Sequence, residues 1–173
     1  MTTAYASLGN IYSFPQTVTI YNGAGTQISK TTYNYDGSAL ATSLGTPQHV
    51  AVSGSRGNLT SVNFPADTFT ASSTYFDTGT VQTATDVNGA VTTYNFPDAT
   101  STCGNAFPTS VSEPMSLTRY MTWNCTGGVQ VTAKDEDSQT VTTTYNDPYF
   151  WRPNIITDQL GNQMTSRYQP NAT

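Results

Sequence analysis

Apolar and hydroxyl side chains alternate along this chain in short runs, and turn-forming residues separate the runs. Residues 90 to 96 (Ala-Val-Thr-Thr-Tyr-Asn-Phe) are typical, because β-branched and aromatic side chains alternate roughly with hydroxyls directly after Asn88-Gly89. Runs of this kind predict β-strands. No segment of about twelve residues keeps apolar positions at helical spacing without an interrupting Gly, Pro or Thr cluster. The pattern therefore predicts an all-β fold with little or no helix.

A repeated motif divides the second half of the chain. An acidic residue is followed three positions later by Gly or Ser and ten positions later by an aromatic residue. The acids lie 22 to 27 residues apart, near the short end of solenoid repeat periods. The four copies are Asp86, Gly89 and Phe96; Glu113, Ser116 and Trp123; Asp135, Ser138 and Tyr145; and Asp158, Gly161 and Tyr168.

Each copy predicts a tight turn followed by a strand. The acidic side chain is expected to bond the backbone two residues on, and the Gly position is expected to accept a positive φ. Successive turns and strands predict tandem units in a long meandering antiparallel sheet. We expect one repeat domain over residues 1–173, with irregular repeats in 1–73 and repeats in register over 74–170.

Two segments resemble the YxYDxxG core of the YD repeats found in the bacterial RHS family. They are Tyr33-Asn34-Tyr35-Asp36-Gly37 and Tyr75-Phe76-Asp77-Thr78-Gly79, and a strand pattern follows each. The resemblance implies a large secreted or surface-associated protein whose repeats wind a β-sheet into a spiral shell. Such shells can enclose a toxic C-terminal domain, and animal relatives act in adhesion. The expected architecture is a β-solenoid or a partial spiral shell.

Charge and hydropathy exclude several classes of partner. Only 10% of the residues are charged and the net charge is -5, so we expect no basic surface for nucleic acid. No apolar run is long enough to cross a bilayer, and the N-terminus has no signal-peptide pattern. We expect an extracellular or cell-surface location, with any export signal outside this sequence.

The two cysteines, Cys103 and Cys125, have no CxxC spacing and no His nearby, so a zinc site is not expected. The extracellular-looking composition favours a disulfide, and two free buried thiols are the alternative. A bridge would close a loop of about twenty residues and stabilise the fold by about 3 kcal/mol.

Catalytic and metal-binding constellations are not evident. His49 is the single histidine and no nucleophile motif accompanies it, so we interpret it as a loop or turn residue and not as the base of a triad. Asp135-Glu136-Asp137 lacks the alternating carboxylates of an EF-hand loop and coincides with a repeat turn. We interpret the repeat acids as turn formers in preference to the paired carboxylates of a glycosidase. The predictions are no enzyme activity, no metal and no cofactor.

Four consecutive residues, Tyr149, Phe150, Trp151 and Arg152, are the strongest candidates for a recognition surface. Aromatic rings beside an Arg offer flat apolar faces to sugars or partner proteins. The alternative interpretation is that these rings fill the core where one repeat packs on the next.

The leading functional hypothesis is a structural one, in which the repeats form a shell wall or a self-assembling fibre through strand edges. Its partners are further copies of the chain or neighbouring repeats of a longer chain. The alternative is a module that binds surface carbohydrate or protein in adhesion.

Overall fold

The computed structural model describes residues 1–44, 46, 49–65, 69–96, 103–147 and 149–168. Its strands lie in one sheet in sequence order, and each ladder is antiparallel. The described residues contain no α-helix, and Pro114–Ser116 forms a 3-10 turn. The predicted all-β meander is confirmed. Its strands are β1 (Thr2–Tyr5), β2 (Pro15–Tyr21), β3 (Gln27–Tyr35), β4 (Leu59–Asn63), β5 (Thr70–Tyr75), β6 (Val81–Thr85), β7 (Val91–Asn95), β8 (Ser110–Glu113), β9 (Leu117–Asn124), β10 (Val129–Lys134), β11 (Thr140–Tyr145), β12 (Pro153–Thr157) and β13 (Gln163–Thr165).

Short turns that begin with an Asp or Asn join the strands at one end of the sheet. In the β6–β7 turn, the Asp86 carboxylate accepts hydrogen bonds from the backbone N–H groups of Asn88 and Ala90, at 2.8 and 2.9 Å. Gly89 follows with a φ of 82°. Such a turn, with a residue of positive φ at its end, closes a hairpin of this length without splaying the strands. The turns at Asn22, Asp135 and Asp158 use the same side-chain acceptor.

The turn at Glu113 is built differently. Met115 and Ser116 both have positive φ, at 65° and 64°, and the Glu113 carboxylate accepts a hydrogen bond from the Arg119 guanidinium at 2.5 Å. Pro114 has no N–H to donate, and the longer Glu side chain reaches the cation across the β8–β9 hairpin. The repeat turn is thus kept while its local hydrogen bonds change.

One face of the sheet carries rows of hydroxyl and amide side chains that cross several strands. Pairing across the ladders places their members opposite one another. Hydroxyl pairs bond directly across strands, as at Thr74–Thr83 and Thr122–Thr132, both 2.7 Å. Cross-strand pairs of this kind stabilise a sheet. The rows are Thr17, Thr32, Asn63 and Thr70; Thr74, Thr83, Thr93, Ser112 and Thr118; and Thr122, Thr132, Thr142 and Thr157.

The opposite face is more apolar, yet it is poorly covered. Val111 is the most deeply buried of the described hydrophobic side chains, and it is still 7% exposed. The accessible surface of the chain is 11290 Å², against about 8,200 Å² for a compact monomer of this mass. Large side chains on this face, including Ile20, Val141 and Met164, remain partly exposed. A single sheet layer leaves this apolar surface in contact with water.

An aromatic residue lies near one end of each of the strands β3, β5, β9 and β11. Its polar atom donates a hydrogen bond to a carbonyl of the preceding strand, or of the residues that lead into that strand. The Tyr35 hydroxyl donates to the Pro15 carbonyl at 2.9 Å, and burial raises the pKa of this phenol above its ordinary value of 10.0. The pairing register shifts at each of these tyrosines, as it does at a β-bulge that redirects a side chain. The other donors and acceptors are Tyr75 and Leu59, Trp123 and Pro108, and Tyr145 and Gln130.

Rings from the connecting segments pack on these residues to form what we call the aromatic row. Ring centroids within each pair lie 4.7 to 6.5 Å apart, the range in which aromatic pairs attract. Phe96 is a repeat aromatic without a polar atom, so it cannot donate a hydrogen bond. It belongs to the row because it packs edge-on against Phe76. Its pairs are Phe14–Tyr35, Phe76–Phe96, Phe107–Trp123 and Tyr145–Trp151.

A disulfide joins Cys103, in the β7–β8 connection, to Cys125, at the start of the β9–β10 turn. The predicted bridge is therefore present, and it spans a sequence separation of 22 residues. It ties the segment that carries Phe107 to the strand that carries Trp123, next to their stacked rings.

Replacing Gly89 with Ala should lower the free energy of unfolding by about 1 kcal/mol, because an L side chain at positive φ is strained. Denaturant unfolding measures the change. Gly23→Ala is the matched control, since Gly23 lies in a turn, has no positive φ and has open space at its Cβ position. Equal stability of the two variants would contradict the described turn.

Candidate functional site

The β11–β12 connection positions the predicted aromatic cluster through one acidic residue. Asp147 Oδ1 accepts hydrogen bonds from the backbone N–H groups of Tyr149 and Phe150, both at 3.1 Å. The Asp147 carbonyl accepts another from the Trp151 N–H at 2.8 Å. The segment is thereby held as a closed turn, and Trp151 at its end has a φ of 48°. The four predicted residues thus lie together but point to different surroundings.

Trp151 packs inward as a structural residue. Its indole lies against Gly127, where an added Cβ would come within 2.2 Å of a ring carbon. The Tyr145 ring centroid lies 6.5 Å away. Gly127 therefore gives the indole its space in the β9–β10 turn, and of the two interpretations of Trp151 this geometry favours core packing.

Phe150 and Arg152 lie outside, where they form a stacked group with Tyr168. The Arg152 guanidinium carbon lies 5.1 Å from the Phe150 ring centroid and 4.3 Å from that of Tyr168, within cation–π range. Phe150 is 72% exposed and the neighbouring Tyr149 is 87% exposed. Rings this exposed contribute little to a core and remain available to a partner.

Asp147 also neutralises Arg152. Its Oδ2 accepts hydrogen bonds from Arg152 Nε at 3.0 Å and Nη2 at 2.6 Å. The guanidinium beside it, with help from the two backbone N–H groups, holds the pKa of the Asp147 carboxyl below its ordinary value of 3.8. Arg152 is therefore oriented by a carboxylate and two rings, and its charge is already balanced.

A cavity of about 410 Å³ opens beside this group. That volume falls within the range of small-molecule binding pockets. We call it the terminal cavity, because β12 and the residues after β13 line it. Its lining residues are Asn146, Asp147, Arg152, Asn154, Ser166, Arg167 and Tyr168.

Sequence reasoning missed part of this lining. Asn146, Asn154 and Arg167 lie outside the four-residue cluster, and hairpin pairing brings them together. The available signal was the position of each residue in the repeat: Asn146 directly follows Tyr145, and Arg167 directly precedes Tyr168. Both residues thus adjoin a repeat aromatic, and adjacent repeats contact each other.

His49, Asp77 and Ser43 are the residue types of a hydrolytic triad, but their contacts differ from those of a triad, because Asp77 lies between the other two. His49 Nε2 is 4.0 Å from Asp77 Oδ2. Ser43 hydrogen-bonds to Asp77 and pairs with Thr46 Oγ1 at 3.0 Å. A nucleophilic serine needs its hydroxyl on the imidazole, and no such bond occurs among the described residues. The arrangement tethers the long β3–β4 connection to the turn after β5.

The acidic triplet at Asp135-Glu136-Asp137 also has structural contacts. Asp135 accepts the turn N–H of Gln139 at 2.7 Å, and Glu136 lies 3.2 Å from Arg119 Nε. Within the described ranges, no group of three or more His, Cys, Asp or Glu side chains is placed to hold a metal ion. The same part of the chain has no helix of the length and apolarity that a membrane span requires.

No protein-family model matches the sequence, and no curated protein matches it. Among solved structures, the chain is similar to a pore structure of the Photorhabdus luminescens Tc holotoxin in which TccC3 carries a mutation. The two share 13% identity at a TM-score of 0.45, over 88% of this chain and 11% of that one. The chain thus spans about a ninth of that protein's length, and a similarity of this size supports no conclusion about function.

Trp151→Ala should destabilise the fold by about 2–3 kcal/mol, somewhat less than loss of a fully buried Trp. Tyr149→Ala is the control, because its side chain is almost fully exposed. Thermal and denaturant unfolding of both variants measure the difference. A Trp151→Ala variant as stable as the control would mean that the indole does not pack on Gly127.

Acid should loosen the tether at Asp77. Hydrogen bonding from Ser43, with the nearby His49 as a lesser cause, lowers the pKa of Asp77 below 3.8. A carboxyl with a lowered pKa stabilises the fold above 3.8, and this contribution disappears as the pH falls through the folded-state value. Amide exchange at Ser43, measured relative to its intrinsic rate at the same pH, should therefore accelerate on acidification. In Asp77→Ala, which has no side-chain acceptor for the Ser43 N–H, it should be fast already at neutral pH, and slow exchange there would refute the tether.

Proposed function

We propose that this chain is a non-enzymatic structural module of a secreted or cell-surface RHS-like protein. In this role its repeats form part of a shell wall or of a self-assembling fibre. The proposal rests on the repeat turns, the YD-like segments and the architecture of the sheet. The disulfide agrees with an extracellular location, since such bonds persist in oxidising compartments.

The observation that supports the proposal most is the single sheet layer with its large exposed surface. A compact enzyme of this mass covers the apolar face of a sheet with a second layer. Here residues such as Ile20, Leu117 and Met164 stay partly exposed on one face. A wall or fibre covers such a surface with neighbouring repeats, other copies or enclosed protein.

The two outer strands offer the second support. At one edge, Tyr5 on β1 is 59% exposed. At the other edge, all residues of β13 are exposed. Unpaired edges of this kind recruit further strands.

Self-association through these edges should depend on protein concentration. Light scattering should give a mass above 18.6 kDa at high concentration. The double substitution Thr3→Lys and Met164→Lys should return the mass to that of the monomer, because charges on edge strands oppose pairing. The double substitution Asn88→Lys and Gln139→Lys is the control, since it adds the same two charges at exposed turn residues inside the sheet. A wild-type chain that stays monomeric at every concentration would contradict edge pairing.

A second candidate function is the binding of surface carbohydrate or protein. The exposed rings of Tyr149 and Phe150, beside Arg152 and the terminal cavity, favour it. A structural sheet and a binding site at its end are compatible in one protein.

A further inference from the structure

Positive charge is concentrated at the terminal cavity of an otherwise acidic chain. The chain has six Lys and Arg residues and a net charge of -5. Two of the six, Arg152 and Arg167, line this cavity, and Asp147 is its one acidic lining residue. The cavity therefore has a local positive balance, which attracts an anion.

The two arginines have different surroundings. Arg152 is held by Asp147 and by the rings of Phe150 and Tyr168. Arg167 is exposed, and no hydrogen bond or ion pair engages its side chain within the described part of the chain. Its guanidinium has five N–H donors in a planar fork that matches a carboxylate or a sulfate. Of the two arginines that line the cavity, Arg167 is therefore the one whose N–H donors are available to a ligand.

The uncharged lining suits a molecule with many hydroxyls. Asn146 Nδ2 donates to Asn154 Oδ1 at 2.8 Å, and Asn154 Nδ2 reaches the Ser166 carbonyl at a long 3.4 Å. The second of these bonds is weak and easily exchanged for one to a ligand. Tyr168 is 44% exposed and adds a flat apolar ring beside these amides. Donors, acceptors and a ring face in one cavity fit a pyranose better than a purely apolar ligand.

We propose that the terminal cavity binds an acidic saccharide, with Arg167 on its anionic group, Tyr168 under the sugar ring and the Asn146 and Asn154 amides on its hydroxyls. The Asp147–Arg152 pair has a positioning role, because it fixes the Tyr168 side of the cavity. This inference deepens the second candidate function and rests on it. It does not depend on edge pairing.

Titration calorimetry of the whole chain with two matched probes tests the proposal. Tri-galacturonate should bind, and galactotriose, which lacks the carboxylates, should bind at least about tenfold more weakly. Arg167→Gln should weaken tri-galacturonate binding by a similar factor, and added salt should weaken it in the wild type. Lys30→Gln is the control for net charge, because it removes one positive charge from an exposed residue of β3.

The proposal would be overturned by no binding of tri-galacturonate, by equal binding of both probes, or by Arg167→Gln binding as well as Lys30→Gln. Inorganic sulfate that binds as tightly as the saccharide would also overturn it, because recognition would then need only the anion. Circular dichroism and light scattering of the same samples separate this test from the structural proposal. Failed binding by an intact, self-associating sheet leaves that proposal standing.

Discussion

The fold depends on aromatic side chains that bridge neighbouring strands of a sheet that has almost no buried core. Tyr35, Tyr75 and Tyr145 each sit at a register shift and donate a hydroxyl to a carbonyl of the strand before. Backbone hydrogen bonds between strands would by themselves leave both faces of a single sheet exposed to water. The aromatic row supplies the ring packing that a second layer supplies in a sandwich, and it places that packing along one end of the strands.

This arrangement is compatible with the proposed structural role and the proposed binding site in one protein. Inside the array each ring meets another ring or a carbonyl, so little of it reaches solvent. At the C-terminal end of the described sheet, Tyr168 has the repeat position of Tyr145 but stacks on Arg152 instead. The same residue type that bridges two strands at Tyr145 therefore lines a cavity at Tyr168.

Local features of the fold were predictable, because they depend on adjacent residues. Asp86 and Gly89 specify their turn by a side-chain acceptor and a positive φ. The turn at Asn22 has the same kind of side-chain hydrogen bonds, because an amide oxygen accepts them as a carboxylate does. A motif that begins with an acidic residue does not include it. Long-range contacts were not predictable: Ala41 pairs with Phe76, and the buried Asn105 amide donates to Thr78 and Thr80. The terminal cavity depends on hairpin register in the same way.

The most direct test of this account measures how much one strand-end hydroxyl contributes to the stability of the sheet. Tyr75→Phe keeps the ring and removes the bond to Leu59, whereas Tyr120→Phe removes a hydroxyl that bonds no described residue. Denaturant unfolding should show the first variant less stable than the second by about 1 kcal/mol. Equal free energies of unfolding would contradict the claim that these aromatics hold successive strands together.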